Sequence, residues 1–323
     1  MIKYNSDKEA VDAFVEKYQA LRSEIGKVII GQDDVIKNVL IAIFSKGHGL
    51  LVGVPGLAKT LLVNTISRVL GLSYSRIQFT PDLMPSDIIG TEILDEYRKF
   101  KFIQGPVFAN IILADEINRT PPKTQSALLE AMQEKAITVA GTNYRLSEPF
   151  FVLATQNAIE QEGTYPLAEA QLDRFMFNIW LDYPSFEQEV DVVKSTTTEF
   201  EAMPEVVLEA EEIIFFQNLV RRIPVPDNVY EYSVKLASKT RPGTGSAHPI
   251  ANDYLTWGAG PRASQYLIIG AKCHAALNGK YSPDIEDVRA VSIAILRHRI
   301  VRNYKAEAEG YSIEKIIDTL LKD

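Results

Sequence analysis

The stretch Gly53-Val-Pro-Gly-Leu-Ala-Lys-Thr60 decides the fold of this chain. It follows an apolar run at residues 49–52 and precedes residues 61–70, whose apolar spacing is typical of a helix. A loop that wraps a polyphosphate needs little side-chain bulk, because consecutive backbone N–H groups must converge on the oxygens, and the following helix N-terminus adds partial positive charge. The order strand, loop, helix therefore predicts a phosphate-binding loop in an α/β fold.

Individual residues of this loop suit separate tasks. Gly53 and Gly56 supply the low bulk, Lys59 supplies a point charge for the outer phosphates, and the Thr60 hydroxyl is a suitable ligand for Mg²⁺. Ala58 stands where the usual pattern has glycine, and alanine fits there if this position already belongs to the first helical turn. The alternative is a glycine-containing turn with a chance Lys-Thr pair and no ligand.

A second nucleotide element follows at residues 111–116. The apolar run Ile-Ile-Leu-Ala predicts a strand buried on both faces, and it ends in Asp115 and Glu116. Open α/β sheets bind ligands at the carboxyl ends of their strands. We expect Asp115 to hold Mg²⁺ through water and Glu116 to polarise the attacking water. Acids end many strands without such a role, but their position after the loop favours a nucleotide site.

Three further motifs follow in order, namely Ala154-Thr-Gln-Asn157, Glu169-Ala-Gln-Leu-Asp-Arg-Phe175 and Gly260-Pro-Arg-Ala263. Together with the loop and the segment Leu113-Ala-Asp-Glu-Ile-Asn-Arg119, they resemble the motifs of AAA+ ATPases, and more closely those of the MoxR family. Ala58 is similar to that family's own loop. The resemblance covers residues 25–296 and implies an α/β P-loop AAA+ core with a parallel sheet, followed by a smaller all-helical lid domain.

The resemblance also implies a set of residues around ATP. The box Val28-Ile-Ile-Gly-Gln32 would border the adenine, although by itself it reads only as an apolar turn before a helix. The nucleotide-contacting residues predicted in this way are Ile30, Gly31, Gly53, Val54, Pro55, Gly56, Leu57, Ala58, Lys59, Thr60 and Leu61.

Asn157 and two arginines complete the candidate catalytic set with Glu116. Asn157 could orient water near the γ-phosphate, or it could be an ordinary strand-end asparagine. The resemblance implies that Arg174 enters the neighbouring subunit's site. The alternative without a catalytic role is a surface ion pair with Asp173 or Glu169.

Arg262 is expected to open a helix over residues 263–277, after a proline. From a helical lid it would contact the phosphates and sense their loss, unless it is an ordinary arginine at a helix start. Arg119 is a second candidate for the interface between subunits.

Two hairpins are predicted outside the sheet. Residues 91–102 have a polar Asp-Glu-Tyr-Arg-Lys centre, and residues 136–146 contain a turn at 140–143. The resemblance implies that both belong to the helix-2-insert branch of AAA+ proteins, in which they project toward a central pore. The alternative is decoration of the sheet edge.

Bulk properties agree with a folded two-domain protein of 323 residues. We expect the core at residues 1–184 and the lid at 185–323, with an exposed connection at 196–204. The sequence contains neither a membrane-spanning apolar stretch nor a signal-peptide core, and its lone Cys273 cannot form an internal disulfide. These features predict a cytoplasmic protein. The four histidines show no metal-like spacing.

The function that the resemblance implies is a MoxR-like chaperone ATPase. Such an enzyme would form a homo-hexameric ring and remodel or mature a protein partner, one class of which carries a von Willebrand factor A domain. Two alternatives are a nucleic-acid motor and a metal-chelatase subunit. Arg98, Lys99 and Lys101 in the first hairpin favour a motor, whereas the net charge of -8 and the uncharged second tip make nucleic acid an unfavoured partner.

Overall fold

The computed structural model describes residues 4–157, 163–197 and 203–322. In these residues the strands are β1 (Gly49–Gly53), β2 (Tyr74–Gln78), β3 (Gly90–Leu94), β4 (Phe100–Gln104), β5 (Ile111–Asp115), β6 (Ala136–Val139), β7 (Thr142–Arg145), β8 (Phe151–Asn157), β9 (Phe177–Trp180), β10 (Leu255–Trp257) and β11 (Val301–Arg302).

The described residues also form fourteen α-helices. They are α1 (Asp7–Gly26), α2 (Asp33–Phe44), α3 (Lys59–Val69), α4 (Pro85–Ile89), α5 (Pro122–Glu134), α6 (Glu169–Leu172), α7 (Phe186–Thr196), α8 (Ala210–Arg222), α9 (Asp227–Lys239), α10 (Pro249–Tyr254), α11 (Pro261–Leu277), α12 (Ile285–Leu296), α13 (Tyr304–Ala308) and α14 (Ile313–Lys322). A short 3₁₀ helix spans Ile117–Arg119.

Five parallel strands form the central sheet in the order β2-β5-β8-β1-β9. The strand side chains alternate between two apolar cores, because successive residues of a strand point to opposite faces. Leu51, Leu113 and Leu153 lie in one core, whereas Ile112 and Val152 lie in the other. This burial on both faces confirms the strand predicted at residues 111–114 and explains its continuous apolar sequence.

The register brings three strand ends together. Gly53 pairs with Asn157 between β1 and β8, and Ala114 pairs with Ala154 between β5 and β8. The phosphate loop, Asn157 and the Asp115-Glu116 pair therefore follow three neighbouring strands at one edge of the sheet.

Both predicted hairpins are confirmed. Strands β3 and β4 pair antiparallel, as do β6 and β7. The β6–β7 turn is tighter than predicted, since only Ala140 and Gly141 separate the strands, both with positive φ, at 47° and 83°. Two left-handed central residues are the signature of a turn that matches the strand twist. The rings of Phe102 and Tyr144 stack at 4.2 Å between the hairpins.

The lid is helical, as predicted, apart from the two-residue to three-residue strands β10 and β11, which pair antiparallel. The N-terminal helices join it to the sheet: Phe14 of α1 lies 4.7 Å from both Phe44 of α2 and Phe216 of α8, measured between ring centroids. One apolar core runs from the sheet through α1 and α2 into α8, α11 and α12. The domain boundary after Pro184 stays a prediction.

Two predictions concern regions that the structure covers only in part. The exposed connection predicted at residues 196–204 lies mostly outside the described residues. Within the described part of the chain, no helix combines the length and apolar character needed to cross a bilayer.

Candidate active site

The phosphate loop runs from the end of β1 at Gly53 to the start of α3 at Lys59. Gly56 and Ala58 both have positive φ, at 90° and 55°. The condition under which alanine was expected to fit, that Ala58 belongs to the first helical turn, is therefore not met, because Ala58 precedes the helix in a left-handed conformation. Alternating left-handed and right-handed residues turn successive N–H groups to one side of the chain, which is how such a concavity forms.

The two glycines of the loop are needed for different reasons. A Cβ on Gly53 would lie 2.8 Å from the carbonyl oxygen of Leu181, so close packing behind the loop requires glycine. A Cβ on Gly56 would meet nothing within 4 Å, and there glycine serves the positive φ. The loop is thus tightly packed on its inner side and open where Gly56 turns.

Lys59 lies between two strand ends. Its Nζ donates hydrogen bonds to the carbonyl oxygen of Gly53 and, at 3.3 Å, to that of Gln156. Burial lowers the pKa of Lys59, and the nearby negative charges of Asp115 and Glu116 oppose this shift. The ammonium group is thereby positioned at the carboxyl ends of β1 and β8.

A threonine connects the two acids. The Thr155 hydroxyl donates to Asp115 Oδ1 at 2.6 Å and accepts the backbone N–H of Glu116 at 2.8 Å. On the other carboxylate oxygen, Arg76 donates from Nη2 to Asp115 Oδ2 at 2.6 Å. The Asp115 side chain is therefore oriented from both sides.

Glu116 has a left-handed backbone, with φ of 56°. Its Oε2 accepts hydrogen bonds from Gln78 Nε2 at 2.9 Å and from Arg119 Nη1 at 3.0 Å. Arg119, considered above as a residue for a neighbouring subunit, thus pairs with the acid of its own chain. Both recorded partners contact Oε2, so within the described residues Oε1 is the oxygen available to a ligand.

Asn157 is the last residue of β8 and neighbours Gly53 of the loop. Its Oδ1 atom is buried and has no hydrogen-bond partner among residues 4–157, 163–197 and 203–322. A buried amide oxygen without a partner is costly. The atom is therefore well suited to a polar group, such as a water molecule, that would complete the site.

The predicted adenine box lies directly beside the loop. Gln32 donates from Nε2 to the carbonyl oxygen of Leu57 at 3.1 Å. Gly31 has φ of 75°, and a Cβ there would lie 2.6 Å from the Gln188 side chain of α7. Ile30 is partly buried next to this glycine. The box is thus held between the loop and the first helix after the sheet.

The two predicted arginines have different environments. Arg174 is partly exposed, and its side chain forms no hydrogen bond or ion pair with any residue that the structure describes, whereas its backbone N–H donates to the carbonyl oxygen of Gln171 at 3.2 Å. The alternative of a surface ion pair between Arg174 and Asp173 or Glu169 is not observed. Asp173 instead pairs with Arg262, the second residue of α11, at 2.8 Å, and with Arg299 at 2.8 Å.

Sequence reasoning missed four residues that contact or position this set, namely Arg76, Gln78, Thr155 and Arg299. Thr155 offered a signal, since it lies within the quoted Ala154-Thr-Gln-Asn157 motif. Arg76 and Gln78 stand on the strand that neighbours β5, and their alternation along β2 places both on one face. Arg299 gave no local signal.

Two family descriptions match parts of this chain. The ATPase family associated with various cellular activities (AAA) matches residues 48–177, and the AAA lid domain matches residues 248–320. Chaperone MoxR1 of Mycobacterium tuberculosis is 42% identical over 316 residues, which span 97% of this chain and 83% of that protein. The chain belongs to the MoxR family of AAA+ ATPases.

Other relatives of this MoxR-family chain span it to a similar extent. Protein MoxR of Methylorubrum extorquens is 33% identical over 296 residues, 86% of this chain and 85% of the relative. The uncharacterized protein YeaC of Bacillus subtilis is 41% identical over 300 residues, 92% and 91% of the two chains. A crystal structure of a protein from Cytophaga hutchinsonii superposes on this chain with a TM-score of 0.90 and 44% sequence identity. The superposition covers 97% of this chain and 96% of the other protein.

Family membership assigns a class of activity. The MoxR-family chain is an ATP-hydrolysing, nucleotide-binding enzyme, and AAA+ ATPases generally form oligomeric rings.

Proposed function

We propose that this chain binds ATP with Mg²⁺ at the phosphate loop and hydrolyses it to remodel or mature a protein partner. One observation carries the hydrolytic part. The phosphate loop, Asn157 and the pair Asp115 and Glu116 follow three neighbouring parallel strands, whose register places them at the same sheet edge. This is where open α/β sheets bind their ligands.

The donor set fits magnesium. Among the described residues, no group of three or more His, Cys, Asp or Glu side chains could hold a metal alone. Mg²⁺ is commonly bound by one or two protein oxygens together with phosphates and water, which Thr60 and Asp115 would provide. The ion supplies neutralisation of the charge that develops on the phosphates.

The chain's own residues would then share the remaining work. Lys59 holds the outer phosphates, and the loop N–H groups bind the phosphate oxygens. Glu116 accepts a proton from the attacking water through Oε1, because Gln78 and Arg119 contact only Oε2. Asn157 orients that water with its unpartnered Oδ1. Arg262 senses the phosphates from the lid.

Two substitutions test the site directly. Lys59→Ala should abolish ATP binding, because the outer phosphates lose the loop cation. Glu116→Gln should keep binding and lose turnover, since the amide cannot accept a proton. Calorimetric ATP titration, with and without Mg²⁺, and phosphate release measure the two properties.

Matched controls are available on exposed helices. Lys235→Ala in α9 and Glu130→Gln in α5 change the same residue types away from the site and should behave as the parent. Parental turnover in Glu116→Gln would reject Glu116 as the base, and parental ATP affinity in Lys59→Ala would reject the loop assignment.

We further propose that the chain forms a hexameric ring, in which Arg174 reaches the nucleotide of the neighbouring subunit. The partial exposure of Arg174 and the lack of a partner for its side chain among the described residues support this role. The guanidinium would neutralise charge in the transition state.

A protein client fits the hairpins better than nucleic acid does. Leu94, Tyr97 and Phe100 on the first hairpin expose 60%, 82% and 73% of their surface. Apolar groups of this kind mark protein interaction sites, whereas phosphate contacts supply most non-specific DNA affinity. With a net charge of -8, the chain should bind duplex DNA weakly. A partner with a von Willebrand factor A domain is the proposed client class.

The second hairpin tip, residues 141–144, is proposed to contact the client. Joint replacement of Thr142 and Asn143 by glycine should leave basal ATP hydrolysis intact, since both side chains are exposed, and should weaken stimulation by a candidate von Willebrand factor A protein. Fluorescence anisotropy with labelled duplex DNA tests the motor alternative. Tight, salt-sensitive DNA binding coupled to ATP turnover would place the motor first.

A further inference from the structure

Arg299, three residues beyond α12, is a buried cation that forms hydrogen bonds with the segment carrying Arg174. Its side chain is only 2% exposed. Nε donates to Asp173 Oδ1 at 2.8 Å, and Nη2 donates to the carbonyl oxygens of Asp173 and Phe175 at 2.9 and 2.6 Å. Nη1 donates to the carbonyl oxygen of Met176 at 3.2 Å and to that of Ile295.

These bonds use the full capacity of the group, because a guanidinium has five N–H donors in a fixed planar fork. Four of the five oxygen acceptors belong to residues 173–176 and the fifth is the carbonyl oxygen of Ile295 in α12. Nη1 also lies 2.7 Å from Nε2 of the adjacent His298. Burying a charge is unfavourable unless it is paired and hydrogen-bonded, and both conditions are met here. The arrangement therefore specifies the backbone path of residues 173–176.

Arg174 lies between the residues that Arg299 holds. Asp173 is held through its carboxylate and its carbonyl, and Phe175 is fully buried and held through its carbonyl. The residues on both sides of Arg174 are thus tied to the lid, whereas the Arg174 side chain itself remains partly exposed. The direction in which Arg174 projects depends on these flanking residues.

Arg262 contacts the same carboxylate in a different manner. It donates from Nη1 to Asp173 Oδ2 at 2.8 Å, and its side chain is 43% exposed. Exposed pairs contribute little, about 0–1 kcal/mol. The buried Arg299 pair is consequently the constant restraint on Asp173.

We propose that Arg299 is a positioning residue, which sets from the lid the direction in which Arg174 is offered to the neighbouring subunit. The inference rests on the proposed role of Arg174 in trans. A subunit with an altered Arg299 then has an intact nucleotide site of its own but supplies a misplaced arginine to its neighbour.

The test is a mixing experiment with assembled rings. Arg299→Met replaces the fork by an apolar side chain and leaves Asp173 paired with Arg262. Rings of this variant should lose about tenfold to a hundredfold in kcat, the scale that small misplacements of a catalytic group produce, with the KM for ATP changed less than about threefold. Mixing with Glu116→Gln subunits should restore activity, because those subunits offer a correctly placed Arg174 to intact sites.

A purely structural role predicts a different result. If Arg299→Met damaged its own nucleotide site, no partner subunit could repair it. Absence of recovery in mixed rings, while the pair Arg174→Ala and Glu116→Gln does recover, would overturn the inference alone. Absence of recovery in both mixtures would overturn the proposed trans role of Arg174 and this inference with it.

Two further variants keep the test independent of folding losses. Arg299→Lys retains a charge for Asp173 but has fewer donors and no planar fork, so it should show a smaller kcat loss with the same recovery on mixing. Arg289→Met removes an arginine of α12 whose side chain forms hydrogen bonds only with Glu286 and Tyr232 in the described residues, and this variant should behave as the parent.

Hydrogen exchange supplies a readout besides activity. In Arg299→Lys, the amides of residues 172–177 should exchange faster, while those of residues 53–61 should not change. Equal exchange at residues 172–177 in the parent and in Arg299→Lys would contradict the inference.

Discussion

Thr155 and Asp115 are linked across neighbouring strands by a hydrogen bond of 2.6 Å from the threonine hydroxyl to Oδ1. The same hydroxyl accepts the backbone N–H of Glu116. One side chain therefore orients the proposed metal-binding acid and the backbone of the proposed base.

Thr155→Val should impair both acids without changing the volume of the side chain appreciably. We expect a loss of about tenfold to a hundredfold in kcat, the range found when groups behind a metal ligand are removed. We also expect a higher Mg²⁺ concentration to be needed for half-maximal activity. Thr155→Ser keeps the hydroxyl and serves as the control. Mg²⁺ titrations of ATPase activity measure the effect, and unchanged activation by Mg²⁺ in Thr155→Val would contradict it.

Ala58→Gly should stabilise the protein by about 0.5–1 kcal/mol. A left-handed alanine costs about 1–2 kcal/mol, and glycine removes that cost. Glycine also gives the unfolded chain more conformational freedom, which offsets part of the gain. Ala290→Gly, at an exposed position inside α12, is the control of opposite sign, with an expected loss of about 1 kcal/mol. Thermal unfolding distinguishes them, and equal losses in both variants would show that the left-handed conformation at Ala58 is not strained.

His48 should make stability depend on pH. Its Nδ1 accepts the N–H of Val152 at 3.0 Å and its Nε2 lies 3.2 Å from the carbonyl oxygen of Met132, which suits the neutral ring. Burial lowers the pKa of His48 from 6.5 to about 4. As the pH falls from 6.5 toward 4, the unfolded state takes up a proton that the folded state refuses.

The stability contributed by His48 is thus complete above pH 6.5 and is lost on acidification, by about 2 kcal/mol at pH 5. Urea unfolding at pH 7.5 and pH 5 measures the slope. His48→Gln can donate and accept without titrating, so its slope should be smaller. A slope equal to that of the parent would assign the acid sensitivity to other groups, such as His298, whose pKa burial also lowers.

Arg174→Ala should reduce turnover roughly a thousandfold or more, in the manner of other arginines that act on a neighbour's phosphates, with little change in ATP affinity. Subunits of Arg174→Ala and Glu116→Gln, each inactive alone, should recover activity in mixed rings. Native mass spectrometry establishes that the rings are mixed. Mixed rings without ATPase activity would refute the shared site.

Local features account for most of what the sequence predicted. The apolar run before Asp115 predicted a strand buried on both faces, and the loop composition predicted a turn between strand and helix. Both are set by neighbouring residues, because strand burial and loop flexibility depend on side chains a few positions apart. The tip of the second hairpin was predicted in place but two residues too long.

Long-range electrostatic pairs could not be predicted in the same way. Asp173 could have paired with the adjacent Arg174, yet its partners are Arg262 and Arg299, 89 and 126 residues away. The contact of Arg119 with Glu116 of its own chain is local, at a separation of three residues, and it was not predicted either.

The sequence by itself determined the α/β core with its helical lid, the position of the phosphate loop and the order of the motifs. Only the tertiary structure decided which carboxylate each arginine contacts, that Ala58 is left-handed, and that Thr155 joins Asp115 to Glu116. The physical reason is range: apolar periodicity and turn residues act over a few positions, whereas ion pairs and strand register depend on where distant segments meet in the folded chain.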